Sequence, residues 1–350
     1  MPELVHAEGG HILLTSGTTG VRKKVLIDAD GLAAMSARRG AVYGINETSL
    51  VNIFDLALWT GAGYKLPLSV WLAGAAVIFH QNENFHQTLL IEGITHAVVT
   101  PTRLSEILSA PNSELRVNPR LMLSVGGAPL SRQLAEAART RLTPNVYTCL
   151  ASTEVGIWGL TRIDGPDDLA AHQMLGTVEV QVVDEGHRLL PPGQMGAIRI
   201  RADDAVSGYF QDAAATSEIF RHGYFYPGDI GEFRTDGRLV VHGRASSVII
   251  VRGTKIAAEP IERKLQESLA IESACVLCLP GEGAEDDVHL VLQSPQLPEA
   301  ELAAAIKSEL YGFPPVGVHF IPEMPRNDMG KIDRIILRRR VLIMSPSLII

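Results

Sequence analysis

Apolar positions along this chain recur with two periods that trade places. "HILLTS" and "THAVVTP" alternate or run apolar over strand length, while "DGLAAMSARRGAVYG" and "SRQLAEAARTRL" place apolar residues three and four apart, as helices do. "LMLSVGG" and "PNVYTCLAS" read as core strands, each running into small residues. Strand–helix–strand alternation of this kind predicts a parallel sheet whose ligands gather at the carboxyl ends of its strands. Residues 177–243 differ: "GTVEVQVVDEGHRLLPPGQMGAIRIRA" and "GEFRTDGRLVVHGR" alternate with period two between turn signals, which predicts antiparallel β. Beyond Arg244 the pattern predicts a strand, a helix over 258–269, two strands, a helix over 299–311 and a last segment into "NDMGKIDRIILRRR". The expected fold is therefore α/β: a large N-terminal domain with a parallel αβ sheet plus an antiparallel β subdomain, then a small C-terminal α+β domain. The expected division is 1–243, a hinge at 244–248 within "GRASSV", 249–341, and a tail at 342–350. Ala245, Ser246 and Ser247 give that hinge little side chain to pack.

Composition narrows the classes. A length of 350 residues suits one large domain and one small one, and 46% hydrophobic with 20% charged residues describes a folded chain. A net charge of −8 argues against nucleic acid as partner. Arg338–Arg340 reads as a solvated helix end. No apolar run is long enough for a membrane span, and "MPELVHAEGG" lacks the apolar region of an export signal, so the expected location is cytoplasmic with no membrane partner. Three cysteines, an odd count, fit a reducing compartment. Cys275 and Cys278 form a CxxC, but "SACVLCLP" reads as a buried strand with no second pair of metal ligands nearby.

The chemistry concentrates first in "LLTSGTTGVRKKV", residues 13–25. Glycines let successive backbone N–H groups converge on one anion; the hydroxyls of Thr15, Ser16, Thr18 and Thr19 add donors, and Arg22, Lys23 and Lys24 add charge. Together they suit a polyphosphate. "VRKKVLID" places Val21, Lys23, Val25 and Ile27 on one face at period two, so a strand follows the loop. That argues against a P-loop, whose glycines open a helix. A plain Gly/Thr-rich hairpin turn is the alternative for the stretch taken alone.

Further stretches resemble, in order, the signatures of the adenylate-forming superfamily of acyl-CoA synthetases, nonribosomal adenylation domains and luciferases. "TSGTTGVRKKV" resembles its phosphate loop, "SVGGAPL" (124–130) its adenine-side loop, "ASTE" (151–154) its "YGxTE" motif and "YPGDIG" (226–231) its "TGD" motif. "GRASSVIIVRGTKIAAEPIE" (243–262) resembles its hinge segment and "PRNDMGKIDR" (325–334) its C-terminal lysine motif. The resemblance implies ATP-dependent activation of a small carboxylic acid to an acyl-adenylate, then transfer to a thiol, with a mobile C-terminal domain that swings about the hinge between steps. It implies that Thr15, Ser16, Gly17, Thr18, Thr19, Gly20 and Lys23 clamp the β- and γ-phosphates, that Thr153 meets the α-phosphate, and that Glu154 holds Mg²⁺. Gly127, Ala128 and Pro129 would flank adenine. Asp229 and Arg244 would bind ribose, Lys331 would be the chief catalyst, and Arg252 with Gly253 would line the channel for CoA.

The departures shape the rest. Arg22 and Lys24 replace the usual Pro and Gly of the phosphate loop, Leu150 and Ala151 replace the Tyr and Gly before the TE pair, and Asn327 replaces Thr. Ser247 stands at the hinge position, and Ser246 and Ile250 stand where CoA ligases often carry lysines. These last changes favour an alternative acceptor, the phosphopantetheine of a carrier protein. "NIFDLALWTGAGYKLPLSVWLAGAAV" occupies the acid-binding region, where Asp55 or Trp59 stands at the position of an aromatic–His pair in many relatives. Asp55 is either the partner of a substrate ammonium or a helix cap. Relatives carry a long segment before the phosphate loop and this chain begins almost at it, which leads to the expectation of a fragment, a natural short form or one half of a split enzyme, with exposed edges covered by a homodimer or a partner. A rival from another class is a non-catalytic nucleotide-binding or scaffold protein.

Overall fold

The computed structural model of the chain describes residues 10–15, 22–54, 58–79, 84–251, 254–279, 287–293, 298–326 and 332–350. A hairpin opens the fold: β1 (Gly10–Leu14) and β2 (Lys24–Asp28) pair antiparallel with Leu14 opposite Lys24. The second strand starts at Lys24, one residue after Lys23. Val25 and Ile27 alternate inward and pack with Leu32 and Met35 of α1 (Ala29–Tyr43). Asp28 caps that helix, its Oδ1 accepting the Gly31 N–H at 2.7 Å.

A six-stranded sheet follows. Its elements are β3 (Leu50–Ile53), α2 (Gly61–Leu72), β4 (Ala76–Phe79), α3 (Phe85–Thr88), β5 (His96–Val99), α4 (Pro101–Leu108), β6 (Met122–Val125), α5 (Arg132–Arg141), β7 (Asn145–Ser152) and β8 (Gly156–Arg162). The order is β4-β3-β5-β6-β7-β8, parallel except for the last pair. One face packs on α4 and α5 through Leu104, Ile107, Ala135 and Ala138. The other packs Val51 and Ile53 against Tyr43, Leu66 and Val70 of α1 and α2. Coverage on both faces is why these strands read as apolar runs rather than alternations. At the edge, Phe79 of β4 and Trp71 of α2 bring their rings to 6.4 Å, and both remain about half exposed.

Antiparallel β comes next, after α6 (Asp167–Ala170): β9 (Glu179–Val183), β10 (Gly196–Arg201), α7 (Ala213–Ile219), β11 (Phe220–Arg221), β12 (Tyr224–Phe225), β13 (Asp229–Phe233) and β14 (Leu239–Arg244). The sheet order is β11-β12-β10-β13-β14, with β9 also on β10, and Trp158, Val182, Ile198 and Ile200 fill its core. His172 exchanges backbone hydrogen bonds with Leu239, at 2.7 and 2.9 Å, which ties its loop to β14. Burial, aided by nearby Arg263, pushes the His172 imidazole down to about 4. The unfolded chain binds that proton more readily, so this contribution is complete above the unfolded value and fades as pH falls from about 6.5 towards 4, by up to about 3 kcal/mol. The melting temperature should drop across that window, and drop less in His172→Gln. Superimposable pH profiles for the two proteins would remove His172 as a cause.

After a 3-10 turn at Ala245–Ser247 come a hairpin, β15 (Val248–Val251) with β16 (Thr254–Ala257), then α8 (Ala258–Leu269), β17 (Ala274–Leu279), β18 (Asp287–Gln293), α9 (Glu299–Glu309), β19 (Val316–Ile321), α10 (Arg334–Val341) and β20 (Leu348–Ile349). The last four strands form a sheet in chain order with its own core of Leu265, Leu290, Ile306 and Val318. The helix expected over 299–311 ends two residues early, and Tyr311 is 91% exposed. The segment expected as a hinge is packed more firmly than its small residues suggest: Ser247 is buried, and the Ala245 N–H donates to the Gly228 carbonyl at 2.8 Å. Cys275 and Cys278 fall on opposite faces of β17, one against α10 and the other against the α8–α9 side, so they share no ligand. The final strand pairs antiparallel with β19, which docks the apolar tail. Among the described residues no helix is long and apolar enough to cross a membrane, and no group of three or more His, Cys, Asp or Glu could hold a metal ion.

Candidate active site

The first hairpin flanks the loop expected to bind phosphate. Its neck is closed by two bonds: the Thr15 N–H donates to the Lys23 carbonyl at 2.9 Å, and the Lys23 N–H donates to Thr15 Oγ1 at 3.1 Å. The Thr15 hydroxyl is therefore part of the closure of that neck. Ser16, Gly17, Thr18, Thr19 and Gly20 lie outside the described residues, as do Asp55, Arg252, Gly253 and Lys331. Lys23 turns its ammonium over the ring of Tyr209, 4.8 Å from the centroid. Tyr209 is held beside β2, its strand bridged to Val25, with the Phe210 N–H donating to the Lys24 carbonyl at 2.7 Å.

Tyr209 also reaches the TE pair, which occupies the turn between β7 and β8. Its hydroxyl donates to Glu154 Oε1 at 2.8 Å, and Glu154 is 6% exposed. Burial, then the Glu154 charge, pushes the Tyr209 phenol well above its ordinary range, while Arg244 pulls the other way. Lys23, Glu154 and Arg244 thus all act on one aromatic ring although 221 positions separate the first from the last. A carboxylate is a hard oxygen donor of the kind Mg²⁺ takes, and Glu154 supplies one here.

Thr153 meets α2. Thr60 caps this helix through the Gly63 N–H at 3.2 Å, and the Trp59 carbonyl accepts the Leu14 N–H at 3.0 Å, so the helix start adjoins the phosphate hairpin. Gly61 is required by close approach: a Cβ there would lie 2.6 Å from Thr153 Oγ1 and 3.0 Å from its Cα. Four residues on, Lys65 donates to the Thr153 carbonyl at 2.8 Å. Burial, reinforced by Arg39 and opposed by Glu154, holds the Lys65 ammonium down to about 7. Trp59 itself is 55% exposed and does not line an enclosed cavity among the described residues. Gly127, Ala128 and Pro129 form the turn between β6 and α5, at the carboxyl end of a parallel strand adjoining β7.

The two ribose candidates come together. Asp229 and Arg244 are cross-strand partners at the ends of β13 and β14, with Arg244 Nε 3.2 Å from Asp229 Oδ1, and Arg244 also donates to the Pro227 carbonyl. The Arg244 backbone N–H donates to Glu259 Oε1 of α8 at 3.2 Å, which ties the hinge to the terminal lobe. Gly243 precedes it at φ 130°, and a side chain there would collide with the Glu259 carboxylate. Within the lobe, Arg334 grips both oxygens of Glu262 at 2.8 and 2.7 Å, and the Val276 N–H donates to the same carboxylate at 2.7 Å. Burial works against the Arg334 charge, but Glu262, with Cys275 and Glu259, more than reverses this and raises its pKa. Arg326 and Ile332 bridge antiparallel, and the Asp333 N–H donates to the Pro325 carbonyl at 2.7 Å, so both flanks of the lysine motif are fixed.

Sequence reasoning missed Tyr209, Lys65 and Arg38. A lone cation inside the apolar run "GAGYKLPLSVWL" was the available signal for Lys65. Nothing local marks Tyr209.

Comparison with known proteins adds the family. The chain is 25% identical over 350 residues to "Trans-cinnamate:CoA ligase, peroxisomal" of Petunia hybrida, covering 93% of this chain and 61% of that protein. It is 28% identical over 351 residues to "Acyl-coenzyme A synthetase ACSM4, mitochondrial" of Rattus norvegicus, covering 93% and 60%. The ATP-bound crystal structure of MatB from Rhodopseudomonas palustris superimposes with a TM-score of 0.83 at 23% identity, over 94% of this chain and 67% of that one, and so shares the fold. The chain spans about 60% of the length of the curated relatives it matches. Residues 11–210, more than half of the chain and the part that holds Thr15, Lys23, Thr153, Glu154 and Tyr209, match the family model described as AMP-binding enzyme, and the protein belongs to that family.

Proposed function

We propose that this protein is an AMP-forming carboxylic acid ligase: it activates a small acid with ATP to an acyl-adenylate and passes the acyl group to a thiol, with CoA as the leading acceptor. The observation that carries this reading is the convergence of Lys23 and Glu154 on Tyr209 beside the neck of the phosphate hairpin. In the first step the carboxylate oxygen attacks the α-phosphorus and pyrophosphate leaves. In the second, a thiolate attacks the acyl carbonyl and AMP leaves. Negative charge grows on the phosphates, and the chain answers it with Lys23 and with the donors of the loop. Mg²⁺, when bound, neutralises phosphate oxygens, and Glu154 would hold it. Lys331 is proposed as the catalyst brought from the terminal lobe, and residues 244–248 as the hinge between lobes spanning 1–243 and 249–341.

Asp229, already oriented by Arg244, is proposed to accept hydrogen bonds from the ribose hydroxyls. Asp229→Ala should therefore weaken ATP binding about ten- to a hundredfold, since bonds to a charged acceptor contribute about 1.5–3 kcal/mol. Calorimetric titration with ATP reads this, and an unchanged affinity would remove Asp229 from the nucleotide site.

Ser246 and Ile250, where CoA ligases often carry lysines, favour a second reading in which the acceptor is the phosphopantetheine of a carrier protein. Exposed Trp71, Leu72 and Phe79 beside β4 support a second copy or a partner protein covering that edge. The free cysteines agree with a cytoplasmic setting. The deciding experiment mixes protein, ATP, Mg²⁺ and a panel of aliphatic, aryl and amino acids, and follows pyrophosphate release with and without CoA. Release that CoA converts into thioester supports the first reading; release with thioester only on a carrier protein supports the second. No release with any acid would favour a nucleotide-binding scaffold.

A further inference from the structure

Glu154 is flanked along the chain by carbonyls that two basic side chains hold, buried Lys65 and half-buried Arg38, neither of which the reaction steps above use. Lys65 is 1% exposed and sets its ammonium 2.8 Å from the Thr153 carbonyl, with the Met35 sulfur at 3.6 Å. On the far side of Glu154, Arg38 donates to the Val155 carbonyl and pairs with Asp204 at 3.0 Å. The carbonyl between them, that of Glu154 itself, accepts the Val206 N–H at 3.0 Å. Three consecutive carbonyls are therefore each held, two of them by long basic side chains. One turn before Lys65 on the same helix, Gly61 presses against Thr153. A turn between two strands is ordinarily free to breathe. This one is clamped from α2 at two points and from α1 at a third. Burying a lysine is expensive, and a neutral donor would satisfy a single carbonyl at lower cost. What the lysine adds is reach: its stem carries a donor from α2 to the carbonyl of the same residue that Gly61 touches one turn away.

We propose that Lys65 is a positioning residue, which fixes the Thr153–Val155 backbone so that the Thr153 hydroxyl and the Glu154 carboxylate keep the orientation that adenylate formation requires. The proposal rests on the acid-activating reading above for its consequence in rate, but its structural half stands alone. Lys65 touches no substrate; it acts through Thr153 and Glu154.

Two variants test it. Lys65→Met keeps the stem and removes the donor and charge; Gly61→Ala pushes a methyl group into Thr153 from the same helix. In each, the exchange rate of labelled pyrophosphate into ATP is measured with the best acid from the panel, together with ATP affinity, melting temperature and amide hydrogen exchange of peptides across 150–157 and across α5. The expected result is a fall in kcat of about tenfold or more with the ATP KM changed less than about threefold. Amide exchange should quicken in 150–157 but not in α5, at nearly unchanged melting temperature. Lys65→Gln, which keeps a donor, should fall between Lys65→Met and the parent protein. Wild-type kcat and wild-type amide exchange in Lys65→Met would overturn the proposal. So would uniform loosening of both peptides with a matching loss of melting temperature, because that describes a residue needed only for folding. Should the parent protein release no pyrophosphate with any acid, the functional reading fails, while the amide exchange still decides whether Lys65 fixes the turn.

Discussion

Lys331→Ala should lower the rate of acyl-adenylate formation about a thousandfold while leaving ATP affinity nearly unchanged. A lysine ammonium about 4 Å from a phosphoryl oxygen gains roughly 4 kcal/mol at an effective dielectric near 20. If that attraction is realised as charge builds on the phosphates and not before, each 1.36 kcal/mol is about tenfold in rate. The small change expected in binding follows from the same logic: Asp229, Arg244, Lys23 and the loop after Thr15 are the residues proposed to hold ATP, and they remain in the variant. Pyrophosphate exchange measures the first quantity and calorimetry the second. A variant that exchanges pyrophosphate at close to the normal rate would refute the assignment of Lys331, and with it the role proposed for the terminal lobe.

Arg334→Ala should destabilise that lobe by about 3 kcal/mol, the loss typical when one member of a buried ion pair is removed and the other is left uncompensated. Glu262 is the reason. Its carboxylate is almost wholly inside, receives both arms of the guanidinium and the Val276 N–H, and would keep only the last of these. Arg334→Lys should recover only part of the loss, because an ammonium carries the charge without the planar fork. Urea unfolding followed by circular dichroism reads the difference. A loss below about 0.5 kcal/mol would place the pair among the many that contribute little. Arg334 stands three residues after Lys331, so the alanine variant should also slow catalysis, by loosening the flank of the lysine motif.

Periodicity made much of this fold readable. The helix over 258–269 matches α8 residue for residue, and the strands of the central sheet lie where apolar runs end in small residues. Those features are local, so a short window of chain contains them. α2 is the instructive failure. "GAGYKLPLSVWL" is apolar nearly all round, starts with two glycines and holds Pro67, so no face stands out; burial against β3 and α1, not its own pattern, makes it a helix. Lys65 is illegible for a related reason. A lysine in an apolar run can run its stem along the surface and keep its head in water, and only the packed structure shows that this one turns inward to Thr153. Tyr209 meets Glu154 across 55 positions of chain, and no spacing rule spans that distance. The motifs at Thr15, Glu154, Asp229 and Arg244 are legible because each is compact in sequence; the contact of Lys23 and Glu154 through Tyr209 is not, since no motif contains that tyrosine.

The bridge between Arg326 and Ile332 gives the lysine motif a closed neck. Asp333 extends the connection: its N–H is bonded to the Pro325 carbonyl and its carboxylate caps α10. A displacement of either flank is therefore passed to that helix, and the two sides of the neck travel with the body they belong to.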